Sequence, residues 1–203
     1  MSEYTYPDSE LGCASSYLLP VISRVIETIP PNSVVMDMGC GNGSVLGQFR
    51  GRGINLHGLD ASNSGIATAR KAFPELSFDI ADLNSDLSNH PLAGGCDLVI
   101  STEVVEHVFL PRIFARNCYM FLKPGGRLVI STPYHGYVKN VSLALTGNMD
   151  RHFTALWDHG HIKFWSRRTL TSLLHEAGFR VCNFHGVGRL PYLWKSMVIV
   201  AAK

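Results

Sequence analysis

Short apolar runs alternate with amphipathic stretches along most of this 203-residue chain. Residues 17–28 carry Leu18, Val21, Ile22, Val25 and Ile26 at helical spacing, and Pro30-Pro31 ends that helix. Apolar runs at 34–38, 54–60, 76–80, 97–101 and 127–132 read as strands, with helical patterns at 43–50, 63–72 and 110–121 among them. The tail adds a helix over 169–177, with Leu170, Leu173 and Leu174 on one face and Gly178 as its cap, then strands at 179–185 and 195–202. The segment 186–191 joins those two strands as a loop. Seven strands interleaved with helices predict an α/β fold: a doubly wound, mostly parallel sheet with helices on both faces. Repeats and interdomain linkers are absent, so residues 1–203 are expected to form one domain.

One stretch breaks the alternation. Residues 134–165 are too many for an ordinary strand-to-helix connection. Within it, residues 138–145 read as a short apolar helix ended by Gly147-Asn148, followed by aromatic and histidine residues. Long loops at a ligand rim carry substrate selection. The segment is therefore expected to be a lid and recognition insertion after the fifth strand.

The first strand carries the candidate chemistry. Val34-Val35-Met36-Asp37-Met38 runs into Gly39-Cys40-Gly41-Asn42-Gly43, with glycine at every second position. Such a loop lets a ligand approach the backbone closely. Asp60 ends the second strand, 21 residues after Gly39. An acid there accepts both hydroxyls of a ribose. The pattern Asp-x-Gly-x-Gly-x-Gly differs from the Gly-x-Gly-x-x-Gly of pyrophosphate binders. A cofactor with ribose and adenine but no phosphate, carrying an ammonium and a sulfonium, suits acids around the loop. Asp37, Asp60, Asp82 and Glu103 all fall at or just after strand ends, which puts them on one rim.

These motifs resemble those of class I S-adenosylmethionine-dependent methyltransferases. Residues 34–43 resemble the first motif, and Gly58-Leu59-Asp60-Ala61-Ser62 the ribose motif. Ile80-Ala81-Asp82-Leu83 resembles the adenine segment. Residues 96–108, including Glu103-Val104-Val105-Glu106-His107-Val108, resemble the fourth-strand motif, and residues 122–133 the fifth. The resemblance implies a Rossmann-like sheet whose last two strands form an antiparallel edge hairpin. It implies S-adenosylmethionine as cofactor, S-adenosylhomocysteine as product, and a cofactor site of Asp37, Gly39, Cys40, Gly41, Gly43, Asp60, Ala61, Asp82, Leu83, Glu103 and Val104. Gly160-His161-Ile162-Lys163-Phe164-Trp165 through Leu170, behind the insertion, further resembles the bacterial ubiquinone-biosynthesis O-methyltransferases. That implies methyl transfer to a small molecule, aromatic or lipophilic, at a phenolic or catechol oxygen. N-, S- or C-methylation shares the cofactor half, as does a non-catalytic binder of S-adenosylmethionine.

Several residues carry two readings. Asp37 contacts the cofactor amine or caps the next helix. Glu103 lies beside the methionine part of the cofactor or is a solvated loop acid. His107 and His135 follow strands at the rim and are the candidate bases, with packing as the alternative for His107. Tyr134, His152, Trp157, His161 and Trp165 are the candidate acceptor contacts from the lid. Lys139, Arg151, Lys163, Arg167 and Arg168 read as solvated. A second reading of the lid is peripheral contact with an anionic membrane surface. With no helical His-x-x-x-His pair and no Cys partner, no metal is expected.

Composition changes this picture little. Apolar content of 46% against 17% charged residues suits a well-packed core. A net charge of +2 makes no case for nucleic acid as a partner. Five cysteines without Cys-x-x-Cys spacing point to reduced thiols and a cytoplasmic setting. Residues 1–10 contain no apolar core of a signal peptide.

Overall fold

The computed structural model describes residues 5–203, so the reading of the first four residues lies outside it. In chain order the elements are α1 (Ser15–Ile26), β1 (Val34–Met38), α2 (Ser44–Gly47), β2 (Asn55–Asp60), α3 (Asn63–Ala72), β3 (Ser77–Ile80) and β4 (Cys96–Thr102). They continue with α4 (Pro111–Phe121), β5 (Leu122–Pro133), α5 (Tyr137–Leu145), α6 (Met149–Phe153), α7 (Arg167–Glu176), β6 (Arg180–Val187) and β7 (Ser196–Ala202). The strands form one sheet in the order β3-β2-β1-β4-β5-β7-β6. β7 runs antiparallel to both β5 and β6, and the other pairings are parallel. The expected doubly wound sheet with an antiparallel edge hairpin is what the chain forms.

Successive side chains of the central strands enter opposite layers, as strand geometry requires. Val35 joins Leu18, Ile22, Leu46 and Ile66 on one face, and Met36 joins Phe114, Cys118, Leu170 and Leu174 on the other. Each fully buried Phe, Ile or Leu contributes about 1.5–3 kcal/mol. The strand order reverses between β1 and β4, and a crevice opens there at the carboxyl ends of the strands.

Boundaries differ from expectation where glycine or a side-chain cap decides them. The helix expected at 43–50 is a single turn. Gly47 lies so close to the Phe73 ring that a Cβ would collide with it, and the chain then turns at Gly51 and Gly53 with φ of 75° and 69°. β6 runs on through Gly186, against which the Trp194 ring packs, so the hairpin loop begins later than expected. α7 starts at Arg167 because Ser166 and Thr169 form a reciprocal capping box.

The insertion after β5 holds α5, α6 and an irregular return. That return is stitched to the end of β4. Ile162 and Lys163 donate their N–H groups to the Glu106 carbonyl, both at 3.0 Å, and the Trp165 indole donates to the Val105 carbonyl at 3.1 Å. No described helix is long and apolar enough to cross a membrane.

Candidate active site

The glycine loop leaves β1 with Gly39 at φ 90° and Gly41 at φ 52°, the left-handed region that glycine tolerates best. A Cβ on Gly39 would strike the Val104 side chain, and one on Gly41 would lie 2.6 Å from the Tyr6 hydroxyl. The loop is thus enclosed by Val104 on one side and by an amino-terminal segment on the other. The Asn42 amide fixes that segment by donating to the carbonyls of Asp8 and Glu10, at 2.9 and 3.0 Å. A cavity of about 410 Å³ lies between the segment, α1 and the loop, within the size range of small-ligand sites. Gly39, Cys40, Gly41 and Glu103 line it, as do Tyr6 and Leu18. No sequence signal pointed to residues 6–12 as part of this site.

Asp37 is 1% exposed, and neither carboxylate oxygen has a hydrogen-bond partner among the described residues. Burial, with Asp60's charge second, pushes its pKa up to about 8. Asn42 Oδ1 accepts the first N–H of α2, from Ser44, at 3.2 Å, and Asp37 accepts none, so the capping reading of Asp37 fails. Glu103 is not a solvated acid. Its Oε1 accepts from the Ser131 hydroxyl at 2.8 Å and its Oε2 from the Ser196 hydroxyl at 3.0 Å. Burial raises its pKa to about 7 against the lowering effect of those two bonds. Cys40 packs in the core with its thiol pKa raised well above normal by burial.

Asp60, Ala61, Asp82 and Leu83 lie beyond the cavity, along the ends of β2 and β3. Asp60 Oδ2 accepts the Gly41 N–H at 2.7 Å, and Oδ1 accepts the Ser62 N–H at 2.8 Å. It therefore braces the glycine loop. Asp82 is exposed and accepts from the Asn84 N–H at 2.9 Å, a turn contact. Leu83 is buried at 6%. Gly43, with φ of 73°, opens α2.

A second cluster forms where the lid return meets β4. Glu106 is 1% exposed; its Oε2 accepts from the Thr132 hydroxyl at 2.9 Å, while its Oε1 is unpartnered. Nε2 of His107 and Nε2 of His161 stand 4.0 and 3.9 Å from that oxygen. The His107 Nδ1 lies 3.1 Å from the His159 carbonyl. As a donor there, it leaves Nε2 as the proton acceptor. Burial lowers the pKa of both imidazoles, that of His161 to about 4, and burial raises that of Glu106. Trp157, 44% exposed, stands edge-on to His107 and His161 at 6.2 and 5.3 Å. Sequence spacing could not show this trio, because His161 comes from the far end of the lid. Its three donor atoms lie within 4.8 Å of one another, a set chemically suited to a divalent cation, where sequence spacing led to the expectation of no metal.

The other candidates separate. His135 is 8% exposed, packs with His152, Phe153 and Phe164, and has a pKa lowered to about 4, chiefly by burial. Tyr134 joins the core against Trp194, with ring centroids 5.1 Å apart. Trp165 is spent on the Val105 carbonyl. Lys139, expected in solvent, is 7% exposed.

Comparison with known proteins agrees with this geometry. A family model described as "Methyltransferase domain" matches residues 13–183. The mitochondrial ubiquinone biosynthesis O-methyltransferase of Rattus norvegicus is 29% identical over 165 residues, covering 78% of this chain and 47% of that protein. The enzyme of the same name from Pseudomonas aeruginosa is 32% identical over 159 residues, covering 77% of this chain and 68% of that protein. The chain thus spans roughly half to two thirds of these relatives. An S-adenosylmethionine-dependent methyltransferase structure from Mesorhizobium loti shares the fold, with a TM-score of 0.69, 18% identity, and coverage of 95% of this chain and 99% of that one.

Proposed function

Because this chain belongs to the methyltransferase-domain family, we propose that it transfers a methyl group from S-adenosylmethionine to a phenolic or catechol oxygen of a small molecule. The observation that carries the cofactor half is Asp37. A buried carboxylate with two unpartnered oxygens is costly unless a donor or cation meets it. Asp37 feels the charge of Asp60, and Glu103 lines the cavity beside the glycine loop that leaves β1. Three acids on one rim suit a ligand with an ammonium and a sulfonium, and disfavour a pyrophosphate. Bound there, S-adenosylmethionine supplies a methyl carbon on a positively charged sulfur.

The acceptor half is assigned to the cluster at the end of β4. His107 holds a neutral ring with Nε2 as acceptor, and takes the proton from the acceptor hydroxyl. Glu106 fixes the floor through Thr132, and Trp157 offers an aromatic wall for a flat ring. The lid return sets this geometry, because its backbone holds Glu106 and His107. His135 keeps a structural part: its low pKa makes it a weak base, and it packs among aromatic rings. Relatives named O-methyltransferases support oxygen over nitrogen, sulfur or carbon as the site of transfer. The carboxylate and two imidazoles also support a second reading, in which a divalent cation joins Glu106, His107 and His161 and orients a catechol. Exposed apolar residues on the lid, including Tyr137 at 84% and Leu145 at 83%, support lid contact with an apolar surface.

Calorimetry with S-adenosylmethionine and with NAD tests the cofactor half. Binding of the first and not the second is the expected result. Tight NAD binding without S-adenosylmethionine binding would overturn it.

A further inference from the structure

A second cavity lies apart from the cofactor cavity and exceeds it in volume. It is a groove of about 950 Å³ between α5, α6 and the loop joining β6 to β7. Four cationic side chains line it: Lys139, Arg151, Arg189 and Lys195. Among the described residues, no acidic side chain lines it and none of the four forms an ion pair with a carboxylate. Leu143 and Leu193 add an apolar wall.

Lys139 is the informative member. It is 7% exposed, and its ammonium has one hydrogen bond, a 3.4 Å contact with the Lys195 carbonyl. An ammonium has three donors, so two have no partner among the described residues. Burial and the Arg189 charge lower its pKa to about 8, against the raising effect of the Glu103 carboxylate. A buried cation set among three others with one carboxylate nearby is expensive unless a further anion joins them. Exposed lysines of a solvated face would turn outward, and this one does not.

The groove adjoins the cofactor cavity. Lys139 contacts the Lys195 carbonyl, and the next residue, Ser196, donates to Glu103, which lines that cavity. Glu103 is also an electrostatic neighbour of Lys139. These contacts link the groove's wall to a residue that lines the cofactor cavity.

We propose that this groove binds an oxyanion, a carboxylate or phosphate, carried by the methyl acceptor, with Lys139 and Arg189 as the anion contacts and Leu143 and Leu193 against its apolar arm. The acceptor is then an acidic amphiphile. The placement of the anion next to the transfer site rests on the methyltransferase reading; the anion site itself does not.

Two measurements keep these apart. The first is calorimetric titration of the whole protein with hexyl phosphate, hexanoate and 1-hexanol, in wild type, Lys139→Gln and Arg189→Gln. Arg189 is on an exposed loop, so its variant tests the site even if the Lys139 variant folds poorly. One or both anions should bind more tightly than hexanol, and each variant should weaken that binding by about tenfold or more, as for loss of a charge-assisted hydrogen bond. The anion that binds tells phosphate from carboxylate. Equal binding of hexanol, or anion binding unchanged in Arg189→Gln, overturns the site. Failure of both anions together with Arg189-dependent sedimentation on phosphatidylglycerol vesicles overturns it too, in favour of a membrane contact. The second measurement compares methyl transfer to 3,4-dihydroxybenzoate and to 3,4-dihydroxybenzamide. The acid should be preferred in wild type, and Arg189→Gln should raise its KM while leaving the amide's unchanged. Anion binding without transfer to either ring would overturn the phenolic reading and uphold the groove.

Discussion

The Asp60 carboxylate accepts the N–H of Gly41 at 2.7 Å. The acid at the end of β2 therefore shapes the loop at the end of β1, and under the proposed function it would also accept the ribose hydroxyls. Asp60→Ala removes both functions. With a charge-assisted hydrogen bond contributing about 1.5–3 kcal/mol and about 1.4 kcal/mol per decade, S-adenosylmethionine affinity should fall about tenfold or more. Asp60→Asn keeps one acceptor oxygen for the loop and should lose less. Calorimetry checks both, with circular dichroism to show an intact fold. Unchanged affinity in the alanine variant would remove Asp60 from the site.

Asp37 predicts a pH dependence. Its folded pKa of about 8 exceeds the ordinary aspartate value of 3.8. Between those values the folded ligand-free protein holds a proton that the unfolded chain releases. Its contribution to stability is full below 3.8 and is lost as pH rises to about 8. A cationic ligand favours the ionised carboxylate, so binding releases the proton below pH 8. Affinity for S-adenosylmethionine should rise between about pH 6 and pH 8. S-adenosylhomocysteine, without the sulfonium charge, should show a shallower rise. Asp37→Asn should flatten the stability profile over the same window and weaken cofactor binding. Thermal melts and calorimetry across pH read both effects.

His107 and His135 separate by turnover. His107→Ala should lower the rate by about a hundredfold, the usual scale for a lost general base. Raising pH should partly restore it by ionising the phenol, and cofactor affinity should stay unchanged. His135→Gln should leave the shape of the pH–rate profile intact. The opposite pattern would move the base to His135.

The lid divides at its anchor. Residues 159–165 are bonded to the end of β4, whereas 140–157 carry α6 and most of α5. Replacing 140–157 with a short Gly/Ser linker should abolish transfer and leave cofactor affinity unchanged. Loss of both activities would make the segment part of the cofactor pocket.

The sheet and the glycine loop were legible in the sequence because both are local patterns. Runs such as 34–38 and 97–101 are continuous and apolar, as strands buried on both faces must be. The acids were legible because β1 to β4 end on one rim. What escaped depends on distant pairing. His161 meets Glu106 only because the lid return hydrogen-bonds to β4. Lys139 looked solvated because α5 is short and otherwise exposed, yet its position faces the start of β7. Tyr134 looked like an acceptor contact, but Trp194 from the last hairpin claims it for the core. Residues 6–12 carry no periodic pattern, so nothing marked them as a wall of the cavity.

Methyl transfer from S-adenosylmethionine to a phenolic oxygen is the proposed reaction. Incubation with methyl-labelled S-adenosylmethionine and 3,4-dihydroxybenzoate, followed by mass spectrometry and NMR of the product, tests it most directly. One aryl methyl ether should form per S-adenosylhomocysteine released. Label on carbon or nitrogen with other acceptors, or S-adenosylmethionine binding with no S-adenosylhomocysteine formed from any phenol, would contradict it.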